Sequence, residues 1–443
     1  MRNIQVNKRG LQAAIYLFAC IGLFLSCSRK TSLVFKDHTF KNVVIDEGRS
    51  PSAPCEPSIA INPSNPNQVS AASVLNNYYQ SNDGGLSWTK ERVTSPYGVY
   101  GDPVIRYDYS NNVFFAHLSN PKDRAYSSEE FLDRIVVQKK QFNGSWNDGS
   151  FPPCDRKKDH DKHWLAIDKN SGVMLMTWTQ FDVYGSKSPD DQSNILFSKS
   201  MDKGITWSEA KVLNQSPGDC LDDDKTTEGA VPEVSAKGNY IVVWCRDSKI
   251  YFTKSTDQGE SWSDEQVIAQ QVEGWSMDIP GIDRSNGFPV IKVDKSTGKF
   301  NGRIYVSFAD QRNGKDNTDI WLIYSDNEGE TWSKPVMVNN DEGRAHQFFH
   351  AMDIDEKSGQ LFVMFYDRRS KPGTNATDVF LAYSVNGGSD FENVMISEKS
   401  FTPEPTLFFG DYNDLSVVPG QVRPIWTHQN GNTLKVKTAI VSY

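Results

Sequence analysis

The sequence predicts an all-β fold, a seven-bladed β-propeller whose ring is closed by an N-terminal strand. Two observations predict this fold. An octad with the pattern Ser-x-Asp-x-Gly-x-Thr/Ser-Trp recurs about every 55 to 70 residues, and a segment that runs from a polar residue into an apolar stretch occurs seven times. A repeat sustained at this spacing is typical of an array in which each copy forms one four-stranded blade.

Each octad has the composition of a tight turn between two strands. An Asp or Asn followed two residues later by Gly favours such a turn, because the Asx side chain bonds nearby backbone and Gly accepts a positive φ. The flanking residues 194–198 and 320–324 are rich in β-branched and aromatic side chains, as strands are. We therefore predict that the octads join third and fourth strands and that their terminal rings pack between neighbouring sheets. These rings belong to Trp88, Trp146, Trp207, Trp262, Trp332 and Phe391.

The seven polar-to-apolar segments predict the innermost strand of each blade. They begin at Glu56, Asp102, His163, Glu228, Asp278, His346 and Asp411. No octad follows the seventh segment, and the chain ends soon after it. A strand from residues 32–36 or 42–45 is therefore predicted to complete the seventh sheet, which is how a propeller removes its open edges.

The N-terminus has the features of a lipoprotein export signal. Arg2, Lys8 and Arg9 precede an apolar run over residues 11–25, which is short for a membrane span. Residues 23–27 resemble a bacterial lipobox, which implies cleavage after residue 26 and acylation of Cys27. We expect a signal peptide over residues 1–26, a lipidated tether over 27–32 and a single propeller domain over 33–443. The expected location is the outer membrane, on its periplasmic or outer face.

Composition limits the partners of the exported protein. The formal net charge is −9, which disfavours nucleic acid and broad binding to anionic lipid. Cys55, Cys154, Cys220 and Cys245 remain after cleavage of the signal, in a compartment that permits disulfides, and their spacing fits no metal motif. We expect a monomer that requires no metal or cofactor, with a structural cation left open.

The predicted functional face is the one opposite the octads. In a four-stranded meander the first strand begins, and the second ends, at that same face. The second-strand ends place there three arginines together with histidine and tyrosine side chains. The candidates are His117, Tyr184, Arg246, Arg312, Arg368 and His428, joined by His163 and Tyr412 from the first strands. Guanidinium groups bind carboxylates and sulfates through paired hydrogen bonds, so this set predicts an acidic sugar as the substrate.

The octads match the Asp-box of sialidases and related propellers. In addition, residues 161–168, 366–369 and 409–412 resemble sialidase-like propeller lipoproteins of Bacteroidetes. The resemblance extends over nearly all of the chain after the signal. Because such proteins are named for their boxes, the resemblance indicates the fold more strongly than the reaction.

One reaction that the resemblance implies is sialidase-type hydrolysis. In it, arginines hold the substrate carboxylate, a tyrosine beside a carboxylate is the nucleophile, and an Asp is the acid and base. Tyr412 with Glu228 would be the nucleophile pair. The chain departs from catalytic sialidases in having seven predicted blades instead of six. It also has Glu56-Pro-Ser where they have Arg-Ile-Pro.

The chain is also similar to the seven-bladed propeller ulvan lyases of marine bacteria, which implies β-elimination on a uronic acid. In that mapping His117 is the base, Tyr184 protonates the leaving oxygen, and His163 supports them. Arg246 neutralises the carboxylate and so acidifies the C5 proton. The residues mapped to substrate binding are Arg246, Arg312, Arg368 and Tyr412.

The predicted function is β-elimination by a carbon–oxygen lyase, with an ulvan-type acidic oligosaccharide or polysaccharide as the substrate. If the leaving group is water from a terminal uronate, the same chemistry is that of an oligosaccharide dehydratase. Two alternatives stay open. One is a sialidase-like exo-glycoside hydrolase, and the other is a noncatalytic glycan-binding propeller at the cell surface.

Overall fold

The computed structural model describes residues 35–36, 40–49, 53–121 and 130–443. These residues form 27 β-strands, labelled β1 to β27 in chain order, and no helix. It follows that the described part of the chain holds no helix long and apolar enough to cross a membrane. Cys27, with the expected signal peptide and tether, lies outside the described residues.

The strands form seven antiparallel sheets, and the innermost strand of each sheet contacts those of its two neighbours, so the ring is closed. The predicted seven-bladed propeller is therefore confirmed. The first four blades are β2–β5 (Ser58–Ile61, Val69–Ser73, Asn77–Ser81, Thr89–Arg92), β6–β8 (Val104–Tyr107, Asn112–Leu118, Ile135–Gln141), β9–β12 (Asp159–Ile167, Met174–Phe181, Ser193–Ser200, Lys211–Val212) and β13–β16 (Glu228–Val234, Tyr240–Arg246, Lys249–Ser255, Gln266–Gln270). The last three are β17–β20 (Val290–Val293, Ile304–Asp310, Asp319–Ser325, Val336–Met337), β21–β24 (Gln347–Ile354, Leu361–Asp367, Asp378–Ser384, Glu392–Met395) and β25–β27 with β1 (Asp414–Val418, Gln421–Asn430, Thr433–Ser442, Lys41–Arg49).

The seventh blade is completed by the N-terminal strand. β1 pairs antiparallel with β27, from Lys41 opposite Ile440 to Arg49 opposite Thr433. β1 contains the predicted strand over residues 42–45, and it covers the open edge that β27 would otherwise expose. The two ends of the described chain are thus held in one sheet.

Two blades differ from the prediction. The innermost strand of the fifth blade is β17, not the predicted segment that begins at Asp278. That segment contains Pro280 and Gly281, which disfavour a central strand, and it forms a loop. The second blade has three strands. Its octad lacks the Asp and the Gly of the pattern, and beyond it only a bridge between Val137 and Ser150 extends the sheet.

The octads are self-contained turns, as the fourth blade illustrates. The Asp257 carboxylate accepts hydrogen bonds from the Ser255 hydroxyl at 2.8 Å and from the Ser261 amide and hydroxyl at 2.9 and 2.5 Å. The Gly259 amide donates to the Ser255 hydroxyl at 2.7 Å. These bonds, led by that of the Ser261 hydroxyl, lower the pKa of Asp257. The Asp257 carboxylate is held by hydrogen bonds within the turn, so it does not contribute to the opposite face of the propeller.

The terminal rings of the octads pack between blades as predicted. Trp262 meets Phe197 of the preceding blade with ring centroids 4.8 Å apart, and Trp332 meets Phe252 at 5.3 Å. These edge-on contacts repeat around the ring and join neighbouring sheets. The four cysteines of the described chain are all free thiols.

Candidate functional site

A cleft of about 580 Å³ lies at the face where the first strands of the blades begin. Its inner end is lined by Glu56 and Asp102, which precede β2 and β6, and by Lys162 of β9. Its outer end reaches Arg92, the last residue of β5. We call this space the mouth cleft. It therefore extends from the propeller axis outward over the first blade.

Irregular backbone places the inner side chains of the mouth cleft. Where β9 pairs with β10, the register shifts between Thr177 and Thr179, and Lys162 in this bulge has a left-handed φ of 48°. Glu56 and Asp102 have φ of 50° and 49°. Bulges redirect side chains, and left-handed backbone in residues other than Gly is concentrated at functional sites.

Asp411 holds two cations at the inner end of the mouth cleft. Its carboxylate accepts a hydrogen bond from the Lys162 ammonium at 2.7 Å and one from Arg284 Nε at 2.9 Å, and Arg284 Nη2 makes a further contact. Asp102 lies 3.6 Å from the same ammonium. Asp411 is 1% exposed, so these charges interact in a medium that screens them weakly.

Arg284 also connects this group to a tyrosine. Its Nη1 donates to Asp222 at 2.5 Å, and the Tyr184 hydroxyl donates to the same carboxylate oxygen at 2.8 Å. The Tyr184 amide is fixed by Asp159 at 2.7 Å. Burial, followed by the charge of Asp222, raises the pKa of Tyr184. The free protein therefore holds a protonated tyrosine beside a carboxylate that can receive its proton.

The carboxyl groups of the site have divergent pKa values. Burial, reinforced by Asp102, raises the pKa of Asp161 to about 7, and burial raises the pKa of Glu56 and of Glu228 well above the usual range. Burial alone would also raise the pKa of Asp411, but Lys162 and Arg284 bring it below its ordinary value. Carboxyl groups separated in this way can act as an acid and as a fixed charge in one site.

A smaller cavity of about 80 Å³ continues from the mouth cleft along the propeller axis. We call it the axial chamber, and His163, His350 and Tyr412 line it. The Tyr412 hydroxyl, His350 Nε2 and both ring nitrogens of His163 are buried without a partner at hydrogen-bonding geometry among the described residues. Polar atoms that face a cavity of this size are typically hydrated. The described residues contain no group of three His, Cys, Asp or Glu side chains arranged to hold a metal ion.

Three of the sequence-predicted site residues lie at or beneath the mouth cleft. Tyr184 lines the cleft itself, and His163 and Tyr412 line the axial chamber. Burial lowers the pKa of His163 to about 4, so its ring is neutral at physiological pH. The catalytic roles assigned to these residues stay predictions.

The other predicted residues are engaged elsewhere. His117 is fully buried between the Leu118 carbonyl at 2.8 Å and the Gln138 side chain at 3.2 Å. Arg246 pairs with Glu265 at 2.9 Å, and Arg312 pairs with its neighbour Asp310 at 2.6 Å. None of the three lines the mouth cleft. The expected convergence of the arginines on the mouth is thus not found, because acidic residues beside them hold their side chains.

Arg368 is also outside the mouth cleft. It is 3% exposed, its Nε donates to the Thr377 hydroxyl at 3.2 Å, and its Nη2 has no partner among the described residues. Burial lowers its pKa to about 10. His428 packs against Phe401 with ring centroids 4.6 Å apart. Both side chains belong to the packing of the sixth and seventh blades.

Four residues of the site are not among the residues predicted from the sequence: Asp161, Lys162, Asp222 and Arg284. A signal was present for the first two, since Asp161 and Lys162 directly precede the selected His163. Arg284 directly follows the segment taken as the fifth innermost strand, and Asp222 lies in a long connection between β12 and β13. Neither position is marked by the repeat.

No family model matches the chain, and no curated protein does. Solved structures match in fold. An ulvan lyase described as a new polysaccharide lyase family is 12% identical, with a TM-score of 0.53 over 91% of this chain and 96% of that one. The sialidase NanB from Streptococcus pneumoniae is 11% identical, with a TM-score of 0.48 over 77% and 68%. A protein from Dyadobacter fermentans is 13% identical, with a TM-score of 0.47 over 91% and 98%. At 12% identity, the similarity to the ulvan lyase shows the propeller fold alone.

Proposed function

We propose that the protein is a carbohydrate-active enzyme that hydrolyses a glycosidic bond of an acidic glycan in the mouth cleft. One observation carries this proposal. The Tyr184 hydroxyl donates to Asp222 at 2.8 Å, and Asp222 is held by Arg284 in the same site. A hydroxyl beside a carboxylate that can take its proton is the arrangement of an activated nucleophile.

The proposed reaction uses three side chains. Tyr184 Oη attacks the anomeric carbon and its proton passes to Asp222, while Asp161 gives its proton to the departing glycosidic oxygen. Water then attacks the anomeric carbon and gives its proton to Asp161, the bond from that carbon to Tyr184 Oη breaks, and Tyr184 recovers its own proton from Asp222. Asp161 is suited to the acid role because burial raises its pKa to about 7.

The type of nucleophile supports an acidic substrate. A tyrosine hydroxyl is neutral before attack, so it approaches a sugar that carries a negative charge without the repulsion that a carboxylate nucleophile would meet. Lys162 and Arg284 line the same cleft, but both already pair with carboxylates, so they contribute by holding Asp411 and Asp222 in place. The aromatic ring of Phe408, 47% exposed at the cleft, offers a surface for a sugar face.

β-Elimination on a uronate is the second candidate, and the position of Tyr184 favours it. Tyr184 lies beside Lys162 and Arg284 in the mouth cleft, where these groups would protonate the leaving oxygen and neutralise the uronate carboxylate. It ranks second because His117, the residue predicted as its base, is enclosed by Leu118 and Gln138. Both cations also already pair with carboxylates.

The reaction is tested by product analysis. The protein is incubated with ulvan, other uronate polysaccharides and an aryl sialoside, and the products are followed by reducing-end assay, mass spectrometry and ultraviolet absorbance. Hydrolysis is expected to add the mass of water to each cleaved bond without a gain in absorbance. A gain in ultraviolet absorbance from a C4–C5 double bond would show that the reaction is elimination and not hydrolysis. If the protein binds a glycan but forms no product, neither reaction takes place and the function is glycan binding.

We expect kcat/KM to fall as pH rises above about 7, since Asp161, with its pKa near that value, must be protonated to act.

The raised pKa of Asp161 also affects stability, because the folded state favours the protonated acid. Its contribution to stability is therefore present below the unfolded pKa of about 3.9 and is lost as pH rises towards 7. Asp161→Asn should abolish the alkaline limb and most activity while raising the melting temperature at pH 8. pH–rate profiles and thermal melts of both proteins check this. If the variant keeps the same fall in kcat/KM above pH 7, a group other than Asp161 causes that fall.

We further infer that the protein is exported and anchored in the outer membrane through Cys27. The basic start and apolar run of residues 1–26 support this. Cys27→Ser is expected to leave the protein unacylated and to release it from the membrane fraction of the producing bacterium. Metabolic labelling with a palmitate analogue and membrane fractionation test it. Equal labelling of the variant would exclude Cys27 as the acylated residue.

A further inference from the structure

Among the described residues, four cations line the mouth cleft, and three of them are engaged. Lys162 pairs with Asp411 at 2.7 Å, and Arg284 pairs with Asp411 and with Asp222. Lys90 pairs with Asp46 of β1 at 2.5 Å. The side chain of the fourth, Arg92, makes no hydrogen bond or ion pair with any described residue. Of the lining cations that the structure describes, its guanidinium group is therefore the one ready to receive an anion.

The position of Arg92 explains why it stays free. It is the last residue of β5 and lies opposite Asn77 of β4. Successive side chains of a strand point to opposite faces, so Glu91 lies on the other face, where it binds Lys140 at 2.6 Å. Lys90, two residues earlier on the same face, binds Asp46, which also accepts a hydrogen bond from the Tyr79 hydroxyl. Among the described carboxylates, none forms an ion pair with Arg92.

The surface between Arg92 and the reacting groups is open and partly apolar. Leu75, in the turn between β3 and β4, is 50% exposed and lines the mouth cleft together with Asn76. The Asn76 side chain donates to the Val93 carbonyl at 3.1 Å, which fixes this turn against the end of β5. Tyr184 and Arg92 line the same cleft, so a glycan that reacts at Tyr184 can extend along the cleft to Arg92.

We propose that Arg92 forms an outer subsite that binds an anionic substituent, a sulfate or a carboxylate, on a sugar of the glycan distant from the bond that is cleaved. This inference rests on the proposed function only in placing a glycan in the mouth cleft. A guanidinium group matches both oxyanions, because its paired N–H groups form two parallel hydrogen bonds with either. The protein would therefore select a glycan that is charged at more than one position.

Binding measurements test the subsite without requiring turnover. Ulvan and chondroitin sulfate are each used in native, desulfated and carboxyl-reduced form, with the Tyr184→Phe protein so that no glycan is consumed. Arg92→Ala in this background is expected to weaken binding of a native glycan by about tenfold or more, the cost of losing one charge-assisted hydrogen bond. Binding of the form that lacks the recognised anion should be unchanged, so the two chemical treatments distinguish sulfate from carboxylate.

Two further variants separate the contribution of the paired hydrogen bonds of Arg92 from that of its charge. Arg92→Lys keeps the charge but cannot form the paired hydrogen bonds, so it should recover only part of the affinity. Lys334→Ala removes one exposed cation from the fifth blade and should leave every affinity unchanged. The proposal is overturned if native glycans bind no more tightly than their neutral forms, if no charged glycan binds, or if Arg92→Ala retains the native affinity. Loss of catalysis in all assays, with charge-dependent binding intact, would contradict the proposed reaction alone.

Discussion

Tyr184→Phe is expected to lower kcat for glycan cleavage by about a thousandfold or more while changing the affinity for the glycan only a few-fold. The variant loses the hydroxyl that donates to Asp222 and, in the proposed reaction, forms the bond to the sugar. It keeps the aromatic ring, which packs edge-on against Phe181 with centroids 5.1 Å apart. Steady-state kinetics and glycan binding by calorimetry measure the two effects separately.

Tyr109→Phe is a matched control for this variant. The Tyr109 hydroxyl also donates to a carboxylate, that of Glu356, at 2.9 Å, but Tyr109 borders a cavity at the opposite end of the propeller axis. The control therefore loses the same type of hydrogen bond away from the mouth cleft and should retain full activity. If Tyr184→Phe also retains activity within about tenfold, Tyr184 is not the nucleophile.

The second large effect is expected for Asp411→Asn. The Asp411 carboxylate, 1% exposed, neutralises Lys162 and Arg284 together. Its removal leaves the buried Lys162 ammonium with only Asp102 at 3.6 Å, while Arg284 keeps Asp222. Loss of one partner of a buried ion pair costs about 3–5 kcal/mol of unfolding free energy. Activity should be lost as well, because Arg284 also holds Asp222. Denaturant unfolding at pH 7 and the glycan cleavage assay measure these losses.

The pH dependence of this destabilisation has a defined sign. Burial opposes the charge of Asp411, but Lys162 and Arg284 bring its pKa below the ordinary value. Its stabilising contribution is thus present above the unfolded pKa and is lost as pH falls through the folded pKa. The gap between wild type and Asp411→Asn should therefore narrow in acid. Asp316→Asn, which removes an exposed partner of Arg344, should leave the denaturation midpoint nearly unchanged. Equal effects of the two substitutions would contradict the central role of Asp411.

Part of the candidate site could be predicted from the order of strands alone. Tyr184 was placed at the functional face because it follows a second strand, and the structure finds it lining the mouth cleft. Arg246 and Arg312 were placed there by the same argument. Arg246 ends β14 and Arg312 follows the end of β18 by two residues, as expected, but Glu265 and Asp310 draw their side chains away. Strand order fixes where a residue lies, whereas charge pairing decides where its side chain points.

The sequence by itself determined the number of blades, the face that holds the octads and the closure by an N-terminal strand. These features follow from turn chemistry and strand composition, which act over a few neighbouring residues. Only the tertiary structure decided which side chains share the mouth cleft. The bulge at Lys162 breaks the alternation of side chains between the two faces of β9. Counting residues back from His163 therefore does not give the face on which the Lys162 side chain lies. Asp411, Arg284 and Asp222 come from distant parts of the chain, and they meet because closing the ring brings their loops to one axis.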